Sequence, residues 1–385
     1  MFFTASFEDI KKGKVTDLYF VNTYTILKKK NIDRYVKAEV IVKRLPEGAK
    51  WGVLSGVEEL GRLIDGLNIK ARCMREGTIF RPYEPVLEIE GMYTEFCLYE
   101  TAILGLLCQS SGVATKAARC KKAAGPRPVI SFGARRIHPV IAPMVERSAF
   151  IGGCDGVSVV FDAEMLGEEP MGTMPHALVL IFGDTVEATL AFDEIIDEKI
   201  KRISLIDTFL DEKVEAIRVA EALRGRLFGI RLDTPSSRRG DFIKILEEVR
   251  WELDIRGFKD VKIYVSGGID ENKILEMNKF VDAYGVGTSI TNARVIDFAM
   301  DIVEIEGKPV SKKGKMSGSK RVLRCPVCYN DKVLPASTEK IMCECGNFME
   351  DLLIPWYENK RFLFGNESPQ EIRSYVLKQL EHFDL

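Results

Sequence analysis

Histidine is scarce in this chain, with three among 385 residues. No Ser-His-Asp or Cys-His nucleophile arrangement is visible by motif, which argues against the common nucleophilic hydrolases. No stretch approaches the roughly 18 uncharged apolar residues needed to span a bilayer, so no membrane partner is expected. The opening MFFTASFEDIKKGKVTD carries charge early and has no long apolar region, so no signal peptide is expected either. An excess of one charge is also missing: the formal net charge is −2, and no global basic field advertises nucleic acid or anionic lipid. Nine cysteines is an odd number, and Cys73, Cys97, Cys108, Cys120 and Cys154 are scattered in apolar or mixed surroundings. That usage indicates a reducing cytoplasm with buried thiols and not a disulfide framework.

What is present divides the chain. At 385 residues it exceeds the size at which one core stops growing. Residues 1–107 mix short strand-like runs, such as YVKAEVIVKRL and PVLEIEGMY, with helical segments such as VEELGRLIDGL. They read as an α+β domain with an antiparallel sheet, completed by residues of about 296–320. Residues 108–295 repeat a different unit, a β-branched run ending in Gly, Asp or Arg and followed by an amphipathic helix. The run ends are VISFGARR, CDGVSVV, GTMPH, ISLIDTF, LFGIRLDTPSS, VKIYVSGGID and AYGVGTSI. Strands alternating with helices predict a parallel sheet. No GxGxxG follows the first strand, so a dinucleotide site has little support. Polar residues gathered at strand C-terminal ends are where a (β/α) barrel builds its active site. The expected fold class is therefore α/β: an irregular (β/α) barrel, with the N-terminal α+β domain and a C-terminal zinc-ribbon-like segment over residues 321–385.

That last segment pairs Cys325 and Cys328 with Cys343 and Cys345 after 14 intervening residues. Two thiolate pairs at this spacing close a tetrahedral structural zinc site, with a rubredoxin-like iron site or four unrelated buried thiols as alternatives.

Chemistry-bearing residues cluster at the expected strand ends. Gly267 and Gly268 in VSGGID, with Gly287 and Thr288 in YGVGTSI, form two late glycine turns in which backbone N–H groups approach an anion. Tight βα turns without ligand are the alternative. In SFGARR, Arg135 and Arg136 supply planar forks for carboxylate or phosphate, and Phe132 can face an aromatic ring. A core Phe beside surface arginines is an equal reading. Asp207, and Asp233 with Arg231, end two further strands; they suit a divalent cation and a developing positive charge, or else they cap helices. Lys312, Lys313 and Lys315 suit a polyphosphate lid or a solvated basic loop. His176, in GTMPHALVLI, is either a catalytic imidazole at a strand end or a core histidine. Together these parts describe a site for a phosphorylated sugar, a polyphosphate with metal, and a small anionic ring.

In order along the chain, TDLY, EGTIF, YETAILGLLCQSSGVATKAAR, SFGARR, GTMPH, IDTF, RLDTPSS, VSGGID and YGVGTS resemble nicotinate phosphoribosyltransferases. These have the type II phosphoribosyltransferase fold, and the likeness is to an archaeal branch with an appended zinc-binding segment. The resemblance covers nearly the whole chain. It implies transfer of phosphoribosyl from phosphoribosyl pyrophosphate to nicotinate, within NAD salvage, with Mg2+ and coupling to ATP through a phosphohistidine. It also implies a cytoplasmic homodimer with shared active sites. By this resemblance Phe132 stacks on the pyridine ring and Tyr19 closes the other face from a neighbouring subunit. Arg135 and Arg136 meet substrate or phosphate, and Arg231, Asp207 and Asp233 hold ribose and metal-pyrophosphate. Gly267, Gly268, Gly287 and Thr288 hold the 5′-phosphate, and His176 accepts phosphate from ATP; Thr173 beside it is expected to bind substrate.

Two positions depart from the pattern or qualify it. Met171 stands where many relatives carry Arg, and Asp155 resembles an aspartate of nicotinamide-using relatives that accepts from the amide. Nicotinamide or quinolinate phosphoribosyl transfer is the alternative activity. A zinc-ribbon nucleic-acid-binding protein, flanked by Arg321, Arg324 and Lys332, is the alternative of another class.

Overall fold

The computed structural model describes residues 2–233 and 240–385. The TPSS of RLDTPSS lies outside the described residues. The chain forms two compact units, Met1–Thr115 with Arg294–Leu385, and Lys116–Ala293.

The first unit holds a seven-stranded antiparallel sheet. Its order is Lys308–Pro309, Ala299–Ile305, Tyr35–Ile41, Leu87–Met92, Ile69–Cys73, Ile354–Glu358, Arg361–Phe362. Val36, Ala38, Val40, Ile69, Ala71, Leu87 and Ile89 carry its buried face. The helical run Tyr93–Ala124 is long and apolar enough, by length and composition, to cross a membrane. Its Phe96, Ile103 and Leu107 are instead buried in the core of this unit.

Residues 321–385 do not stand apart as a segment of their own. The strand Ile354–Glu358 pairs with Ile69–Cys73, and Gln379 of the helix Pro369–Leu380 accepts from the Ile79 amide and donates to the Gly77 carbonyl. Such edges and helix faces are too small to bury their own apolar surface, so they are spent on the larger sheet. The boundary expected at 107/108 lies at 115/116 for the same kind of reason: Val113 and Ala114 are still buried side chains, and Thr115 accepts from the Val53 amide.

The second unit is α/β. Its six parallel strands are β1 Val129–Ser131, β2 Gly156–Val157, β3 Ile203–Leu205, β4 Gly229–Leu232, β5 Lys262–Ser266 and β6 Ala283–Val286. They pair in the order β2-β1-β6-β5-β4-β3. Apart from β2 and β3, each strand neighbours the next in the chain, and the last pairs with the first, which is the order around a barrel. Among the described residues no ladder joins β2 to β3, so the sheet is open there and the expected barrel is not closed by hydrogen bonds.

Seven strand ends were expected, and the unmatched one is GTMPH. No strand precedes it: residues 168–175 carry no regular structure, and His176–Phe182 is a helix. Pro175, extended at φ −87°, stands as its N-cap, and Gly183, left-handed at φ 80°, ends it. Short apolar runs such as HALVLIF fit strand or helix equally by pattern, and here the flanking Pro and Gly decide. The loop runs beside the open edge, where the Met171 amide donates to the Val157 carbonyl at 2.8 Å and the Met171 side chain packs on Gly156.

Candidate active site

A cavity of about 760 Å3 opens at the C-terminal ends of the parallel strands. Alternation along each strand sends one set of side chains to the interior, and the residue after each strand to the rim. Phe132 follows β1, Ser158 follows β2, Arg231 and Asp233 end β4, Ser266 to Gly268 end β5, and Gly285, Gly287 and Thr288 end β6. Gly172 to Ala177, including Thr173 and His176, complete the lining with Arg135 and Arg136.

Phe132 lies against β6. A Cβ on Gly285 would fall 2.4 Å from Phe132 Cδ2, so only glycine leaves room for the ring. Gly267 and Gly268 are both left-handed, at φ 86° and 70°, a consecutive pair that turns the chain sharply at the end of β5.

His176 is held by Thr208, with Nδ1 to Oγ1 at 2.9 Å. Its Nε2 lies 3.7 Å from Asp207 Oδ1 and 3.7 Å from Asp233 Oδ2, and makes no hydrogen bond among the described residues. The two carboxylates are fixed in turn. Asp207 Oδ2 accepts the Asp233 amide at 2.7 Å, and Ser266 Oγ donates to Asp233 Oδ1. Among the described residues neither aspartate caps a helix: the helices Glu212–Leu223 and Phe242–Ile255 are capped by Asp211 and Asp241, whose side chains accept from the first-turn amides.

Arg231 donates to Thr173 Oγ1 at 2.6 Å and to the Met174 carbonyl at 3.2 Å, and its guanidinium lies 6.0 Å from the Phe132 ring centre. Burial lowers its pKa, while Asp233 and Asp207 oppose that shift; the group stays a cation. Its Nε, buried, has no hydrogen-bond partner among the described residues.

Five expected residues are not in the cavity lining. Asp155 is not in the cavity lining: its Oδ2 accepts from Lys121 Nζ at 2.9 Å and from the Val129 amide at 2.8 Å, at the N-terminal ends of β1 and β2. A carboxylate preceding a strand caps the sheet's lower rim, where no substrate ring is met. Lys315, expected on polyphosphate, pairs with Asp301 in the first unit, as does Lys312 at 2.7 Å, because a buried carboxylate needs a counter-charge. Lys313 is exposed on the same loop. Tyr19 is also in the first unit, exposed on the helix Leu18–Lys30.

Ser266 and Thr208 were not singled out from the sequence. Both lie inside quoted motifs, next to a glycine pair and an aspartate, and their role shows only once β3, β4 and β5 are side by side. The thiols of Cys325, Cys328, Cys343 and Cys345 lie within 4.8 Å of one another in the first unit, with Sγ–Sγ distances of 3.3 Å for Cys325–Cys345 and 3.4 Å for Cys328–Cys343.

The quinolinate phosphoribosyl transferase N-terminal domain family matches residues 17–111, and the C-terminal domain of the same family matches residues 113–301. A nicotinate phosphoribosyltransferase of Mycobacterium tuberculosis is 28% identical over 351 residues, covering 80% of this chain and 74% of its own. Among solved structures, nicotinate-nucleotide pyrophosphorylase from Pyrococcus furiosus superposes with a TM-score of 0.97 at 55% identity, covering 100% of this chain and 99% of that one. Human nicotinic acid phosphoribosyltransferase shares the fold, with a TM-score of 0.76 at 19% identity over 96% of this chain and 94% of its own. With its strand-end cavity and these matches along nearly its whole length, the chain belongs to the type II phosphoribosyltransferase family, among the nicotinate phosphoribosyltransferases.

Proposed function

We propose that this protein transfers phosphoribosyl from phosphoribosyl pyrophosphate to nicotinate, giving nicotinate mononucleotide and pyrophosphate in NAD salvage. The observation that carries the reading is the convergence, in one cavity, of an aromatic face, a buried Arg fork, Asp233 held by Asp207 and Ser266, and paired glycine turns. The ring nitrogen of nicotinate is already a free nucleophile, so no base is needed to make one. Phe132 presents a flat apolar wall for the ring, and Arg231 beside it offers positive charge to the ring carboxylate. Gly267, Gly268, Gly287 and Thr288 take the 5′-phosphate, and Arg135 and Arg136 take substrate anions.

As the bond to pyrophosphate breaks, positive charge develops at the sugar carbon, and Asp207 and Asp233 are already oriented to stabilise it. Their oxygens are the hard donors that suit Mg2+ bound with the substrate, which supplies charge neutralisation on the leaving group. His176, held on its Nδ1 side by Thr208, turns Nε2 toward the two carboxylates, a placement that suits it to accept phosphate from ATP. Met171 adds no charge there.

The four thiols suit zinc: thiolates around 2.3 Å bonds lie roughly 3.8 Å apart, and four protein ligands leave no place for water, so the role is structural. A homodimer is the state in which Tyr19 reaches a site; exposed Leu18, Tyr19, Val21 and Ile26 on one helix support a covering partner. The cytoplasm is the compartment that suits nine free thiols.

Turnover of nicotinate, nicotinamide and quinolinate, each with phosphoribosyl pyrophosphate, tests the reading. Product from nicotinate is expected, and product only from either of the others overturns it. Incubation with γ-labelled ATP should label the wild type and spare His176→Ala; equal label in both removes the phosphohistidine.

A further inference from the structure

Behind the wall of the cavity, on the outer side of the sheet, lies a carboxyl that the chemistry above leaves unused. Glu146, on the helix Ala142–Ile151, is 0% exposed. Its Oε1 accepts from Ser131 Oγ at 2.9 Å, and its Oε2 has no hydrogen-bond partner among the described residues. Ser131 is the last residue of β1, also 0% exposed. Alternation places Ile130 and Phe132 with the inner cluster and Ser131 toward the helix. The hydroxyl that Glu146 holds therefore belongs to the residue next to Phe132.

Glu146 also reaches the second strand of the wall. The Ser158 amide interacts with its carboxyl, and Ser158 lines the cavity just after β2. Ser131 and Val157 are register partners, so the carboxyl that accepts from Ser131 lies beside the ends of two neighbouring strands. Burial pushes its pKa up to about 7, with Ser131 and the Ser158 amide opposing that shift and Asp162 adding to it. An apolar side chain of similar volume would pack this helix on the sheet without that desolvation cost. Packing alone thus does not explain a carboxyl here.

We infer that Glu146 is a positioning residue of the pyridine-ring subsite, acting through Ser131 on the turn that carries Phe132. The ring of Phe132 has no slack on its far side, where Gly285 leaves only hydrogen-sized room. Its backbone is tied to β6 by the Phe132 amide and Val286 carbonyl at 2.9 Å. A small shift at Ser131 is therefore passed to the ring face and not absorbed.

This inference rests on the ring-binding role assigned to Phe132 above, and its test separates the two. Initial rates are measured with the pyridine acceptor and phosphoribosyl pyrophosphate varied in turn, for wild type, Glu146→Ala, Ser131→Ala and Glu146→Gln. The acceptor is whichever of nicotinate, nicotinamide and quinolinate the wild type uses, so a wrong acceptor assignment leaves this test intact. Wild type inactive with all three overturns both readings.

Glu146→Ala and Ser131→Ala are expected to raise KM for the ring acceptor about tenfold, with kcat and KM for phosphoribosyl pyrophosphate within about twofold. Glu146→Gln, which keeps an acceptor for the Ser131 hydroxyl, should recover most of the loss. Unchanged acceptor KM, an equal rise in both KM values, or no rescue by Gln overturns the inference. Should Glu146→Ala fail to fold, Ser131→Ala decides by the same criteria.

Discussion

Buried charge is treated in opposite ways in the core pairs of the first unit and at the strand ends of the second. In the first, Lys320 Nζ meets Glu39 at 2.7 Å with both side chains almost fully buried, and it also donates to the Met316 and Gly318 carbonyls. Arg324 pairs with Asp331 at 2.7 Å, and Arg72 with Glu88 at 2.9 Å. Each donor is spent. In the second unit, at the strand ends, His176 Nε2 and Arg231 Nε are buried without hydrogen-bond partners among the described residues, and the nearest carboxylates to His176 stand at 3.7 Å. Satisfied networks hold a fold together, whereas groups fixed by neighbours yet not consumed by them await a ligand.

The contrast can be broken from either side. The largest expected effect is at the strand ends: Asp233→Asn should lower kcat about 1,000-fold, because charge stabilisation in a preorganised site is lost. Its melting temperature should stay within about 2 °C of wild type by differential scanning fluorimetry, since one exposed-edge carboxylate contributes little to stability. A large fall in melting temperature with modest loss of rate would place Asp233 among the structural charges instead.

Lys320→Met should do the reverse, destabilising the protein by about 3 kcal/mol in denaturant titration, because Glu39 is left buried without its partner. Activity per folded molecule should be near wild type, and adding Glu39→Met should recover much of the stability. A single variant as stable as wild type would mean that the pair contributes nothing.

The smallest effect concerns Glu100 in the first unit. Burial, with Asp301 adding to it, raises its carboxyl to about 7, while Lys312 opposes the shift. A carboxyl with a raised pKa favours folding in its neutral form, so that contribution is present below the unfolded value and is lost as pH rises through about 7. Glu100→Gln should therefore match wild type near pH 4.5 and melt higher than wild type at pH 8, by about 2 °C for a cost of about 1 kcal/mol at a partly buried group that water still screens. An offset of equal size at both pH values would show that its titration plays no part.

Much of this was legible in the chain order. The alternation of β-branched runs with amphipathic helices announces the parallel sheet, and its period comes from local geometry that a sequence carries directly. VSGGID, SFGARR, IDTF and RLD end strands, and the structure brings the first two and RLD to one cavity, with Asp207 of IDTF holding the Asp233 amide. GTMPH read as a strand end and begins a helix, because a seven-residue apolar run has no decisive period and Pro175 and Gly183 set its limits. Asp155 was legible as an acid near a strand but not as an acid at the wrong end of it.

By itself the sequence determined the class of the second unit, the four-thiol cluster and the residue types at the strand ends, since these depend on period and spacing. Only the tertiary structure decided which of those residues face one another. Register between strands distant in the chain sets Ser266 on Asp233 and Asp233 on Asp207. It also puts Lys315 on Asp301, and Glu146 behind Phe132 through Ser131. Contacts across such separations are fixed by packing, and packing is a property of the whole chain that no local window contains.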